Sequence, residues 1–312
     1  MNRVLVNPGL INPPRLLVIL VGPTAAGKTT LAIQLAQHFR TEIISADSRQ
    51  FYREMRIGTA VPSAEELALV PHHFIGHLSI HEDYNVYRYE KDVLGLLDRL
   101  FQHHETVIMT GGSGLYVRSV LRGIDDLPDP DPILRKQLTA KLLQEGISSL
   151  QAMLRELDPE YYATVDQNNP KRLLRAIEVS MITGVPFSLQ RSHRPKKRDF
   201  GILQIGITLQ RDSLYQRINE RVDRMMENGL LEEARLLYPF RHLNALNTVG
   251  YKELFEYLSG EVNLEEAVKN IKTHTRKYAK RQLTWFRQDA SIHWLQPDGF
   301  KEMTVLISSH LR

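Results

Sequence analysis

The chain has 312 residues, of which 42% are hydrophobic and 24% charged, with a formal net charge of +4 at pH 7. These proportions are typical of a soluble globular protein of one large α/β domain or two smaller ones, and the mild basicity suits a polyanionic partner without requiring one. The lack of cysteine excludes disulfides, zinc ribbons and thiol catalysis, and no apolar run approaches the ~18 residues of a membrane span.

The first fifteen residues contain three prolines and no signal-peptide core, so we expect a short loose leader on a cytoplasmic protein. Residues 16–21 follow as six apolar, largely β-branched or Leu positions, which predict a buried strand. The next eight residues spell G-x-x-x-x-G-K-T and precede apolar residues at helical spacing, which is the context that a P-loop requires. The loop consists of Gly22, Pro23, Thr24, Ala25, Ala26, Gly27, Lys28 and Thr29.

In such a loop the backbone N–H groups and the helix N-terminus converge on an anion. Lys28 adds a positive charge, and the hydroxyl of Thr29 can hold Mg²⁺. The motif therefore predicts a site for a diphosphate or a triphosphate.

A second buried strand is predicted over residues 41–46, and it leads directly into Asp47. In a parallel α/β sheet, chemistry gathers where strands end, so we expect Asp47 one strand away from the phosphate loop. The alternative is that Asp47 caps a short helix, which Ser48 would support.

A short helix is predicted over residues 63–69, with Ser63 and Glu66 as a capping box, and a longer one over residues 86–101. For the adjacent His72 and His73 we favour surface or hydrogen-bonding roles. The third predicted strand, residues 106–110, ends in Gly111 and Gly112 instead of the acidic residue with which ATP-hydrolysing P-loop proteins position Mg²⁺. A double glycine permits close approach of a ligand to the backbone, and the missing acid argues against a motor-type ATPase.

From about residue 123 the strand–helix alternation gives way to helices, predicted over 132–145, 149–157 and 169–183. We interpret residues 123–200 as a helical insertion, entered by a proline- and aspartate-rich hinge at 128–132, between core segments 1–122 and 201–312. Basic residues crowd its exit, as a solvated linker or as phosphate-backbone contacts: Arg191, Arg194, Lys196, Lys197 and Arg198. The core resumes with a strand over 202–209.

Helix 212–227 carries Arg217, Arg221 and Arg224 on one face, where they either pair with Glu220 or Asp223 or meet a phosphate. Near the C-terminus a second helix presents Lys269, Lys272, Arg276 and Lys280, followed by Arg281, Trp285, Phe286 and Arg287. Basic and aromatic side chains together favour nucleic acid, because they combine phosphate charge with base stacking.

Seven segments together resemble one family, the tRNA dimethylallyltransferases of bacterial type. They are GPTAAGKT (22–29), ISADSRQFY (44–52), IGTA (57–60), GGSGLY (111–116), NPKRLLRA (169–176), TVGYKE (248–253) and KRQLTWFR (280–287). They occur in the family's order and cover nearly the whole chain. Ala26 stands where the family more often has Ser, and Val61 where Lys is usual.

The resemblance implies a P-loop NTPase-like three-layer α/β core with a parallel sheet and an inserted helical domain that grips the tRNA anticodon stem-loop. It also implies a monomer that transfers a dimethylallyl group from its diphosphate to N6 of the adenosine 3′ of the anticodon, with Mg²⁺ as cofactor. Asp47 matches the family's base, and Thr24 and Arg217 match contacts to the diphosphate and the reacting centre.

The remaining positions that correspond to the family's tRNA contacts fall in five groups. They are Asp47, Ser48, Arg49 and Gln50; Ser113 and Arg135; Lys171, Arg172, Leu173, Leu174 and Arg175; Asn247, Thr248, Val249, Gly250, Tyr251 and Lys252; and Lys280, Arg281, Gln282, Leu283, Thr284, Trp285, Phe286 and Arg287.

Three other functions compete with this one. A P-loop kinase of a small metabolite shares the loop but has no use for three basic clusters. An RNA-binding P-loop protein without covalent chemistry gains nothing from a carboxylate at Asp47. An adenylate isopentenyltransferase uses a free mononucleotide, which needs neither the insertion nor the basic segment 280–287.

Overall fold

The computed structural model describes residues 15–191 and 195–311. All but the last residue of the expected leader lie outside this part of the chain, as does Arg194. A six-stranded parallel sheet organises the core, in the order β3-β2-β4-β1-β5-β6. Its strands are β1 Leu16–Val21, β2 Ile43–Ser45, β3 His72–His73, β4 Thr106–Gly111, β5 Gly201–Ile207 and β6 His293–Leu295.

The α-helices surround the sheet or form the helical insertion. They are α1 Lys28–Phe39, α2 Ala64–Leu69, α3 Val86–Leu100, α4 Gly114–Arg122, α5 Pro132–Glu145, α6 Ile147–Leu157, α7 Pro159–Thr164, α8 Pro170–Thr183, α9 Arg211–Glu227, α10 Leu230–Leu237, α11 Tyr251–Leu258, α12 Leu264–Phe286 and α13 Phe300–His310.

The strand order corrects one prediction. Strand β4 pairs with both β1 and β2, so Asp47 at the end of β2 lies two strands from the phosphate loop instead of one. The central position of β4 depends on Gly111, because a Cβ there would overlap with the backbone of Ala46. A glycine at the end of β4 thus allows the segment after β2 to pass closely beside it.

Two apolar layers hold the sheet. Leu17, Ile19 and Val107 pack with helices α3 and α4 on one face, while Val18 and Leu20 pack with α1 and α13 on the other. Because both faces are covered, the central strands are apolar at almost every position, which is the pattern that made them predictable.

Helix caps explain several of the helix boundaries. Ser63 and Glu66 form the predicted capping box of α2, and Asn85 accepts a hydrogen bond from the third residue of α3. Asp131 caps α5, with a proline in its first turn. The adjacent histidines form the edge strand β3, where His73 Nε2 lies 2.6 Å from Glu42 Oε2, so the predicted hydrogen-bonding role is confirmed for it.

The chain divides into two compact units. One comprises the described residues up to Leu121 and from Lys197 onward, and the other is Arg122–Lys196. The second unit has an apolar core of its own, which includes Leu150, Leu154, Leu173 and Ile177.

Candidate functional site

The phosphate loop leaves β1 through a backbone conformation that only glycine adopts readily. Gly22 has φ of 147°, and a Cβ there would lie 2.6 Å from the carbonyl oxygen of Ile207. Gly27, with φ of 88°, precedes α1 and leaves its first turn without a side-chain cap. The N–H groups at the start of α1 are therefore free to bind an anion.

The side chain of Lys28 folds back and bonds to the phosphate loop. Its Nζ donates a 2.7 Å hydrogen bond to the carbonyl oxygen of Pro23. Burial is the main reason that the pKa of Lys28 falls to about 8, with nearby Arg221 lowering it further and Asp47 opposing the change. A bound anion would favour the charged form of this lysine and raise its pKa again.

A cavity of about 810 Å³ opens in front of the loop. Its walls come from residues 25–30, from the segment between Arg56 and Ser63, and from α9. Val61 and Ala26, the two departures from the family pattern, both line it. Val61 leaves this wall without the positive charge that a lysine would supply.

The arginine stripe of α9 faces this cavity. Arg217, Arg221 and Arg224 all line it, and a Cβ on Gly27 would lie 3.7 Å from Arg217 Nη1. The acids that were considered as their partners bond elsewhere: Asp223 pairs with Lys272 at 2.6 Å, and Glu220 accepts a 2.9 Å hydrogen bond from Gln216. Among the possibilities left open by the sequence, this geometry favours the phosphate-binding role.

Asp47 lies in a turn and caps no helix, because the next helix begins at Ala64. Its Oδ1 accepts a 3.0 Å hydrogen bond from the amide of Arg49, which fixes the carboxylate in a half-buried position. Although β4 intervenes, Asp47 interacts electrostatically with both Lys28 and Arg221. Burial lowers the pKa of Arg221, and the Asp47 carboxylate counteracts that effect.

Two tyrosines border the same carboxylate. Burial is the main reason that the pKa values of Tyr89 and Tyr278 are raised, and Asp47 raises both further. The hydroxyl of Tyr89 donates to the carbonyl oxygen of Ser45 at 2.9 Å. Both phenols are therefore neutral at physiological pH and add no negative charge beside Asp47.

The double glycine does not leave space for a ligand, which corrects the sequence interpretation. A Cβ on Gly112 would overlap with Gln282 Nε2, and one on Gly114 would overlap with Trp285 Nε1. These glycines instead give room to side chains of α12. A sequence does not reveal whether a glycine admits a ligand or another part of the chain.

Much of the segment around residues 244–252 makes hydrogen bonds within the protein that hold the residues around the site in place. Arg49 donates hydrogen bonds to the carbonyl oxygens of Asn244 and Ala245 at 3.0 and 2.9 Å. Tyr251 is fully buried, and its hydroxyl donates to Glu233 at 2.6 Å. Glu233 in turn accepts the amides of residues 56, 57 and 58, so it holds one wall of the cavity.

The other predicted tRNA contacts of this unit divide by exposure. Asn247, Lys252, Lys280, Arg281, Thr284, Trp285 and Arg287 are exposed; Ser48, Arg49, Gln50, Ser113, Thr248, Val249 and Leu283 are half-buried; Gly250, Gln282 and Phe286 are buried. The side chain of Gln50 donates to the carbonyl oxygens of Thr59 and Ala60, and Phe286 belongs to the core. The exposed basic residues and Trp285 form the surface that stays a predicted RNA contact.

Part of the expected basic face of α12 bonds to helix α9 within the protein. Lys272 pairs with Asp223, and Arg276 donates to Asn219 on α9 at 2.8 Å. Arg198 departs further from the prediction: it is neither a solvated linker residue nor a phosphate contact. It is buried, bonds to Glu90 at 2.8 Å and donates to the carbonyl oxygen of Val120.

In the helical unit, the predicted tRNA contacts surround one buried acid. Glu178 is inaccessible to solvent and accepts hydrogen bonds from Arg135 and Arg175. Lys171 and Arg172 are exposed on α8, whereas Leu173 and Leu174 are buried in the core of the unit. Within this set, only the charged side chains are appreciably accessible to solvent, so only they stay predicted RNA contacts.

The sequence presented Arg221 only as one of three arginines, yet it is the one that interacts electrostatically with both Lys28 and Asp47. Its position four residues after Arg217 was the available signal. Arg56, which also lines the cavity, had no sequence signal.

The parallel sheet and the glycine-bounded loop at the end of β1 define a P-loop NTPase-like α/β protein. The family model described as IPP transferase matches residues 50–289. The chain belongs to the IPP transferase family.

Two known relatives match along nearly their whole length, and a third matches along about three quarters of its own. A tRNA dimethylallyltransferase 1 from Phocaeicola vulgatus is 51% identical over 296 residues, covering 95% of this chain and 99% of the relative. A crystal structure of a tRNA isopentenylpyrophosphate transferase from Bacillus halodurans is 37% identical with a TM-score of 0.70, covering 95% and 96% of the two chains. A eukaryotic dimethylallyltransferase, described as acting on tRNA, is 26% identical with a TM-score of 0.77, covering 95% of this chain and 77% of its own.

Proposed function

We propose that this protein transfers a dimethylallyl group from dimethylallyl diphosphate to N6 of the adenosine 3′ of the anticodon in tRNA. The observation that carries the proposal is that the Asp47 carboxylate interacts electrostatically with Lys28 and Arg221, two cations that line the cavity in front of the phosphate loop. Membership of the family and the names of the relatives support the same activity. The binding of tRNA, the cytoplasmic location and the monomeric state are parts of this proposal.

In this proposal Asp47 acts on the acceptor amine, and the phosphate loop with its cavity binds the diphosphate. The N6 amine of adenine is a poor nucleophile, because its lone pair is delocalised into the ring. Asp47 accepts the proton of this amine as N6 bonds to the first carbon of the allyl group. The bond from that carbon to the diphosphate oxygen breaks, and the diphosphate leaves with the electron pair.

The departing diphosphate is stabilised by groups that already converge on the cavity. The amides of the first turn of α1 have no side-chain cap, and Lys28, Arg217 and Arg221 line the cavity and supply positive charge. Thr24 in the loop faces the reacting carbon in this proposal. The P-loop thus holds a leaving group instead of transferring a phosphoryl group, which fits the glycine where such enzymes carry an acid.

Mg²⁺ fits the donors at this site. Thr29 lines the cavity, and among the described residues no cluster of three or more His, Asp or Glu side chains could hold a metal alone. Mg²⁺ characteristically binds through substrate phosphates, water and one or two protein oxygens. When bound by Thr29 and the diphosphate, the ion would neutralise charge on the leaving group.

The acceptor reaches Asp47 from the tRNA anticodon loop, and its base must leave the stack to do so. The exposed Lys280, Arg281 and Arg287 of the α12 segment, with Trp285, provide charge and a stacking surface for the RNA. In the helical unit, Lys171 and Arg172 supply further phosphate contacts.

Within the described residues, no helix is long and apolar enough to cross a membrane.

The proposal is tested with labelled dimethylallyl diphosphate and three separate acceptors: unmodified tRNA, AMP and ATP. Label in tRNA alone is the expected result. Label in a mononucleotide would identify an adenylate isopentenyltransferase, and phosphate transfer from ATP with no label anywhere would favour a kinase.

A further inference from the structure

Gln282 joins two loops at the active edge of the sheet. Its Oε1 accepts a 2.9 Å hydrogen bond from the amide of Thr24, in the phosphate loop after β1. Its Nε2 donates a 3.0 Å hydrogen bond to the carbonyl oxygen of Gly112, in the turn after β4. Both ends of its amide are therefore satisfied within the protein, and the residue is only 5% exposed.

The glycine turn is shaped to receive this side chain. A Cβ on Gly112 would overlap with Gln282 Nε2, and one on Gly114 would overlap with Trp285 Nε1, three residues further along α12. Successive contacts at i and i+3 seat one face of the helix on the turn. The two glycines are therefore required by the docked helix.

The same turn holds the residues on both sides of Asp47. The amide of Ser113, next to Gly112, donates to the carbonyl oxygen of Ala46 at 3.1 Å. Its Oγ accepts a 3.0 Å hydrogen bond from the amide of Ser48. A continuous set of hydrogen bonds thus runs from Thr24 through Gln282 and the glycine turn to the Asp47 turn.

The strand order explains why a direct link between the two loops is useful. Since β4 lies between β1 and β2, the backbone of the sheet does not connect the phosphate loop directly to Asp47. A displacement of about 1 Å between reacting groups can lower a rate by about 10²-fold. The relative position of the two loops therefore decides whether the carboxylate and the diphosphate act on the same substrate pair.

We propose that Gln282 is a positioning residue that fixes Thr24 and the phosphate loop relative to Asp47. This inference rests on the proposed transfer reaction, and it assigns the residue a role distinct from the tRNA contact expected from the sequence. Gln282 touches neither the diphosphate nor the acceptor; it acts through the main chain of the two loops that do.

Two variants test the role by different routes. Gln282→Met keeps the length of the side chain and removes both hydrogen bonds, whereas Gly112→Ala leaves Gln282 intact and displaces its amide. For each, we expect kcat per active site to fall about 10- to 100-fold. The dissociation constant for tRNA should stay within about twofold, because the exposed basic residues of α12 are unchanged.

Matched controls are Gln37→Met on the exposed side of α1 and Gly95→Ala in α3, where an added Cβ meets nothing within 4 Å. Both should transfer label at the wild-type rate. Active-site titration separates positioning from folding: unchanged kcat per active site with fewer active molecules would overturn the inference, as would a wild-type rate in Gln282→Met. Failure of the wild-type protein to transfer label would instead refute the proposed function.

The two single variants also predict the double one. If both act by breaking the same bridge, the loss of kcat in Gly112→Ala with Gln282→Met is smaller than the product of the single losses. Independent, fully multiplicative losses would contradict a shared bridge.

Discussion

Lys28 gives the affinity for diphosphate a defined dependence on pH. Its pKa of about 8 in the free protein means that about half of the molecules carry an uncharged Lys28 at pH 8, and about nine-tenths at pH 9. A bound diphosphate favours the charged form, so binding takes up a proton above pH 8. We therefore expect the dissociation constant to be nearly constant at pH 7 to 7.5 and about tenfold higher at pH 9.

The assay is isothermal titration with dimethylallyl diphosphate at fixed Mg²⁺ and without tRNA, repeated in buffers of different ionisation enthalpy to count the protons taken up. The last proton of a phosphate monoester leaves at about pH 6, so this diphosphate ester does not titrate between pH 8 and pH 9, where the change is expected. Among the described residues that line the cavity there is no histidine.

Lys28→Arg is the matched variant, because arginine keeps its charge at every pH used. Its affinity for diphosphate should be independent of pH between 7 and 9, whatever its absolute value. The reasoning is refuted if the wild-type affinity does not change over this range, or if the arginine variant follows the wild-type profile.

The lowered pKa also affects stability. Since the unfolded chain keeps a lysine pKa near 10.4, the free energy of unfolding of the wild type should rise with pH above 8 relative to that of Lys28→Met.

Three further substitutions probe other parts of the account. Asp47→Asn should lower kcat about 10²- to 10⁴-fold with tRNA affinity kept in a gel-shift titration, and unchanged turnover would remove Asp47 as the base. Glu233→Gln loses charge-assisted hydrogen bonds to the amides of the cavity wall, so the KM for dimethylallyl diphosphate should rise severalfold with little change for tRNA; equal changes for both would contradict a local role. Glu178→Gln leaves two arginines of the helical unit without their buried counter-charge, so chemical denaturation should show a loss of about 3 kcal/mol, and an unchanged midpoint would contradict the pairing.

The sequence predicted the parts of the site that are local in the chain. The loop from Gly22 to Thr29 lies between a strand and a helix as expected, because apolar runs and glycine spacing encode that unit directly. The capping box of α2 and the helix over 132–145 follow from equally local signals. The short strands β3 and β6 carried no such signal, since two or three residues show no periodicity.

What the sequence could not predict depends on contacts between distant segments. The central place of β4 follows from pairing partners that no local pattern specifies. Arg198 resembled a member of a basic linker until the structure placed it beside Glu90 in the interior. Likewise, nothing near Gly112 in the sequence indicates that Gln282, 170 residues away, fills the space above it.

The central claim is that this site joins a five-carbon group to one adenosine of the anticodon loop. The most direct test incubates the wild-type protein with unlabelled dimethylallyl diphosphate and a tRNA that has adenosine 3′ of the anticodon, and then maps the product by nuclease digestion and mass spectrometry. A matched tRNA with guanosine at that position is the control. The account predicts a gain of one five-carbon unit on that single adenosine and none in the control; modification elsewhere, or of both RNAs equally, would contradict it.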